Sequence, residues 1–137
     1  MKFNIPKIIR RLEMSAYAEE MDGLALHVWV NPSRNIKKAF WDLQIELIGL
    51  KQELNKLMET PKPATKKVEA LNGRVEGVHK TIYEWYANIW SKASDPNTHV
   101  AVEEIDAMAD EDPALWTFMA QGTQALIEDH ADGIRKN

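Results

Sequence analysis

The sequence contains no cysteine. That excludes a disulfide framework, cysteine-ligated zinc, iron–sulfur clusters and thiol nucleophiles, and it fits a reducing compartment. Long apolar runs are missing too. None approaches the roughly 20 residues that span a bilayer, and the basic stretch Met1–Arg11 lacks the apolar core of a signal peptide. A cytoplasmic location is therefore expected, with no membrane contact. The glycines never cluster, so a phosphate-cradling loop is not expected. No G-x-S-x-G turn and no recognisable order of Ser, His and acid is present, which argues against nucleophilic catalysis. Positive charge is not in excess either. A net charge of −4 argues against general nucleic-acid binding, which leaves a basic footprint.

What remains is an ordinary globular composition. The 137 residues are 45% hydrophobic and 28% charged, enough for one domain with its own core. The charge is unevenly spread. Residues 31–92 carry 11 Lys and Arg against 7 Asp and Glu, residues 93–137 carry 2 against 10, and residues 1–30 balance at 4 each. A basic middle and an acidic end can attract each other within one chain or between copies, or simply form two unrelated solvated faces.

Lys2–Arg11, with Phe3, Ile5, Ile8, Ile9 and Pro6, reads as an extended arm or edge strand. Ser15 is placed to cap a short helical turn from Tyr17 to Met21 that Gly23 ends. Leu24–Val30 (LALHVWV) is the best strand, and its expected partner is the N-terminal segment. Asn31-Pro32 has the form of a helix start, with a capping Asn and Pro at the first helical position. Beyond it Ile36, Phe40, Leu43, Leu47, Leu50, Leu54 and Leu57 alternate at spacings of 4 and 3, a heptad seam on one long helix. Pro61 and Pro63 stop it. Val68, Leu71, Val75, Val78, Ile82, Trp85 and Ile89 form a second seam of equal length. Two such seams joined by residues 60–64 predict an antiparallel hairpin of about 40 Å. Gly49, Gly73 and Gly77 either weaken these helices by roughly 1 kcal/mol each or permit a close neighbour.

Ser94-Asp95-Pro96-Asn97 reads as a turn, followed by a short helix from about Val100 to Ala109 with Val102, Ile105 and Met108 inward. Asp112-Pro113 repeats the cap-then-proline start, and the last helix is expected to run to about His130. Its apolar face comprises Leu115, Phe118, Met119, Gly122, Leu126 and Ile127. The expected fold class is mainly α, a long antiparallel helical hairpin with a small N-terminal β-element and two C-terminal helices. It is expected as a single domain: an arm and β-element over 1–30, the hairpin over 31–92, and acidic helices over 93–137.

Chemistry is harder to place. Glu76-x-x-His79 puts two ligands on one helix face, but di-iron bundles need a second such pair and further carboxylates. A solvated surface pair is the simpler reading. His27, His99 and His130 lie in different elements without ligand spacing. Glu103, Glu104, Asp106, Asp110, Glu111 and Asp112 crowd one stretch, as in helical magnesium-dependent pyrophosphohydrolases. Only Glu103-x-x-Asp106 matches, and Asp110–Asp112 sit where a helix dipole favours negative charge. A metal-dependent helical hydrolase is therefore the least favoured class, and no catalytic residue, metal or cofactor is assigned. The unusual feature is five tryptophans. Trp85 falls on the second seam; Trp29, Trp41, Trp90 and Trp116 are the candidate core or partner-binding anchors, because Trp is favoured at interfaces. The lysines around the proline tip, Lys51, Lys56, Lys62, Lys66 and Lys67, form a solvated loop or a dock for an acidic partner.

The order LALHVWVNP at Leu24–Pro32, Trp85-Tyr86-Ala87-x-Ile89-Trp90-Ser91, Val102-Glu103-Glu104-Ile105 and Glu111-Asp112-Pro113-Ala114-Leu115-Trp116 resembles small tail assembly chaperones of bacteriophages and prophages. The resemblance covers much of the chain by order rather than by one specific motif. It implies a non-enzymatic protein in the host cytoplasm that binds a long helical tape-measure protein and can form homo-oligomers. It also implies a longer form made by ribosomal frameshifting, with which Lys136-Asn137 is codon-compatible. A self-assembling virion or adaptor protein is the alternative.

Overall fold

A computed structural model describes residues 5–92 and 95–136 of the chain. It is mainly α with a small antiparallel sheet. Strands β1 (Ile9–Glu13) and β2 (Ala25–Trp29) precede helices α1 (Arg34–Met58) and α2 (Thr65–Ile89). Strands β3 (Trp90–Lys92) and β4 (Asp95–His99) follow, then helices α3 (Val102–Glu111) and α4 (Pro113–Lys136). The contacts divide the chain into two compact units, residues 34–85 and residues 1–33 with 86–137.

In the unit of residues 34–85, the two seams behave as their spacing requires. Phe40, Leu47 and Leu50 of α1 are buried, as are Val78 and Ile82 of α2, and no other seam residue is exposed. The helices run antiparallel: the Trp85 indole N–H donates to the Ile36 carbonyl at 2.8 Å, and its ring lies 4.7 Å from that of Phe40. Each helix has 25 residues, so each is about 37 Å long at 1.5 Å per residue. A Cβ added at Gly49, Gly73 or Gly77 would meet nothing within 4 Å, so no neighbour needs these glycines to be small.

The other unit is built on a four-stranded sheet in the order β1-β2-β3-β4. The expected pairing of the N-terminal segment with Leu24–Val30 is present, with Ile9 opposite Trp29 and Glu13 opposite Ala25. Residues 2–4 of the expected arm, Phe3 among them, lie outside the described residues. The connection between these strands corrects one expectation. Two 3-10 turns, Met14–Ala16 and Glu19–Met21, replace a single helix capped by Ser15. They are closed by short-range bonds such as Met21 N–H to Ala18 O, and Met14 N–H reaches across to Leu24 O at 3.0 Å. The chain must return within eleven residues to pair β2, which leaves no room for a regular helix. Gly23 completes the return at φ 83°, where a side chain would be strained.

Four further boundaries differ from the sequence reading. The helix after Asn31-Pro32 begins at Arg34, because the Asn31 side chain is committed elsewhere. Its Oδ1 accepts from Ile8 N–H at 2.7 Å and from the Trp29 indole at 2.9 Å, and its Nδ2 donates to Pro6 O at 2.9 Å. The expected turn at Asp95–Asn97 is strand β4, with Ser94 outside the described residues. The hairpin stops at Ile89, since Trp90–Lys92 pairs with the outer edge of β2, where unpaired backbone groups require partners. Finally, α4 runs six residues past His130.

Helix α4 packs on β1, β2 and α3. Its start follows the expected cap: Asp112 Oδ1 accepts from Leu115 N–H at 3.1 Å, ahead of Pro113. Gly122 is the point of closest approach, where an added Cβ would lie 2.8 Å from a Leu12 methyl. The core here includes Leu26, Val28, Val30, Ile89, Trp90, Ile105, Met119 and Ile127. Among the described residues, no helix is long and apolar enough to cross a membrane.

Candidate protein-binding surface

Helix α1 carries a second apolar stripe that the seam does not use. At 100° per residue, Trp41, Ile45 and Ile48 share one face about 160° around the helix from the seam. They are 56%, 68% and 56% exposed. A helix with a polar back needs only one neighbour, whereas one that is apolar on opposite faces has more to bury than its hairpin partner covers. The rim of the stripe is basic. Arg34, Lys37, Lys38 and Lys56 lie within about 60° of it, while Asp42, Glu46 and Glu53 lie roughly 100–140° away. Lys38 reaches Asp42 at 3.7 Å, but both side chains are well solvated, so this pair neutralises little.

The four tryptophans named from the sequence have different fates. Trp41 is exposed on the stripe, its ring edge-on to Phe40 at 5.6 Å. Trp90 is completely buried: its indole donates to Thr123 Oγ1 at 2.8 Å, and that hydroxyl donates to Met119 O at 2.7 Å. Trp116 is half-buried, edge-on to Tyr86 at 5.2 Å and to Trp90 at 6.0 Å. Trp29 is half-buried in β2 and held by Asn31. Trp90 and Trp116 therefore serve the core of their unit, and Trp41 serves a surface. The sequence reading missed Ile45 and Ile48. Their i, i+4, i+7 spacing from Trp41 was the available signal, masked by the stronger seam beside it.

The titratable candidates are less productive. His79 lies near Tyr83, ring centroids 6.3 Å apart. Partial burial, and then the charge of Lys51, hold its imidazole below the ordinary value. Burial pushes the Tyr86 phenol up to about 12, opposed by the hydrogen bond its oxygen accepts from Gln124 at 3.1 Å. His27 Nδ1 and His130 Nε2 are buried with no hydrogen-bond partner among the described residues. The acidic residues of α3 are exposed along its outer face, and Glu104 accepts from the Ala101 N–H at 3.4 Å. Among the described residues, no three His, Asp or Glu side chains converge as a metal site would require.

Against known proteins, the chain matches no family model, no curated protein and no solved structure.

Proposed function

We propose that this chain is a non-enzymatic protein-binding protein whose Trp41–Ile45–Ile48 face holds an amphipathic helix of its client. The observation that carries the reading is the stripe itself: three large apolar side chains, all more than half exposed, in register on one side of a 25-residue helix. Apolar anchors at i, i+4 and i+7 are the pattern by which one helix lies along another. The basic rim selects the client's chemistry, since a partner helix with acidic flanks gains complementary charge on both sides of the apolar contact. The resemblance to phage tail assembly chaperones supplies the identity we favour: a long helical tail protein, bound in the bacterial cytoplasm before assembly.

The test is calorimetric titration of the full chain with two helical peptides of equal apolar face, one with Glu flanks and one with Lys flanks. Binding of the acidic peptide, lost in Ile45→Asp/Ile48→Asp, supports the reading. Equal binding of both peptides, or retention in the variant, overturns it. Self-assembly through the acidic C-terminal segment of a second copy is the competing occupant. It predicts concentration-dependent dimers that the same substitutions dissolve.

A further inference from the structure

We propose that the unit of residues 1–33 and 86–137 contains a second binding site, a small cleft for a carboxylate bearing a short apolar group. The cleft has a volume of about 180 Å³. Four of its lining side chains, Lys7, Asn88, Ser91 and His99, can donate hydrogen bonds. Trp29, Ile9 and Ile89 complete the lining and give it an apolar wall. Among the described residues, no carboxylate lines it. In a protein of net charge −4, this is a local concentration of donors around the Lys7 ammonium.

The cation is held in place by its surroundings. Lys7 Nζ lies 4.5 Å from the centre of the Trp29 ring, within range of a cation–π attraction. The backbone on either side of Lys7 is pinned. Asn31 takes the Ile8 N–H and donates to Pro6 O, and Val30 N–H donates to Ile8 O at 2.9 Å. The same Asn31 oxygen accepts the Trp29 indole, so one side chain fixes both members of the Lys7–Trp29 pair. Such pre-ordering lowers the entropic cost of binding.

Helix α2 supplies Asn88, and the sheet supplies Ser91 and His99 in register. Ser91 pairs with both His27 and His99, and His27 pairs with Arg11, so one row runs Arg11, His27, Ser91, His99 across four strands. Among the described residues that line the cleft, Lys7 carries the ammonium for an incoming anion. His99 Nδ1 lies 3.3 Å from Trp90 O. A ring that donates from Nδ1 to that carbonyl presents its other nitrogen as a further ligand contact. The cleft is smaller than the usual range for drug-sized ligands, which points to a fragment such as a short organic acid or the last residue of a peptide.

The experiment is a ¹H–¹⁵N NMR titration of the full chain with isovalerate, with a tetrapeptide ending in a free leucine carboxylate, and with the same peptide amidated. Saturable shifts at the Trp29 indole and at the Ser91 and His99 amides are expected, with an affinity on the order of millimolar for so small a ligand. Lys7→Met should weaken binding about tenfold. Asn31→Ala, which keeps the cation and frees the arm, should weaken it less. Isovalerate alone producing the shifts assigns a free acid, and the carboxylate peptide alone assigns a chain terminus. No saturable shift with either acid, equal binding of the amidated peptide, or full binding by a folded Lys7→Met variant would overturn the proposal.

Discussion

Tyr17 donates its hydroxyl into the carboxylate of Asp112, 3.1 and 3.0 Å from the two oxygens, across 95 positions of sequence. The same carboxylate caps α4 through Leu115 N–H, so one side chain both starts a helix and ties it to the connection between β1 and β2. The Tyr17 ring adds a 5.6 Å contact with Phe118. Asp112→Ala should therefore cost about 1–2 kcal/mol, combining a lost cap with a lost hydrogen bond. Tyr17→Phe should cost less, and the double variant less than the sum, since the two changes delete one shared bond. Urea unfolding midpoints measure all three.

Alkaline stability should fall in a defined window. Tyr86 is held at about 12 by burial, and Tyr17 is raised by its bond to Asp112 and, secondarily, by desolvation, both from 10.0. Tyrosine is neutral when protonated, so a raised folded value means that the folded chain keeps its protons longer than the unfolded one. The associated stability is intact below pH 10 and is lost as pH rises toward 12. Tyr86→Phe should flatten that limb when unfolding is followed from pH 8 to 12.

The glycines of the hairpin offer a gain. Gly49, Gly73 and Gly77 each have open space where a Cβ would go, so replacement by Ala should stabilise by about 0.5–1 kcal/mol apiece. At Gly122 the same helix gain is opposed by the Leu12 methyl 2.8 Å away, and little net change is expected there. Thermal melts of the four single variants test the contrast.

The legible parts of the fold were those fixed by local pattern. The alternating seams led directly to α1 and α2, and Asp112-Pro113 to the start of α4, because spacing and caps act within a few residues. Strands β3 and β4 were hidden. Asp95-Pro96-Asn97 has turn chemistry, and only the open edge of β2 makes Trp90–Lys92, and then residues 95–99, a continuation of the sheet. Asn31 looked like a cap because its bonds to Pro6, Ile8 and Trp29 depend on the arm lying beside β2. Trp41 was named from the sequence as an anchor. Its companions Ile45 and Ile48 emerged only once burial had been assigned to the opposite face of α1.

Replacing the stripe should separate stability from binding. Trp41, Ile45 and Ile48 are solvent-exposed, so Ile45→Asp or Ile48→Asp should change folding stability by no more than about 0.5 kcal/mol. Circular dichroism and urea midpoints of the variants establish this before any binding is compared.

The most direct measurement is site-specific photo-crosslinking from position 45, with the crosslinked peptides sequenced by mass spectrometry from native lysate. The account predicts one predominant adduct, to an amphipathic helical segment with acidic flanks in a long helical protein. Crosslinking only to a second copy of this chain, or to no discrete partner, would contradict it.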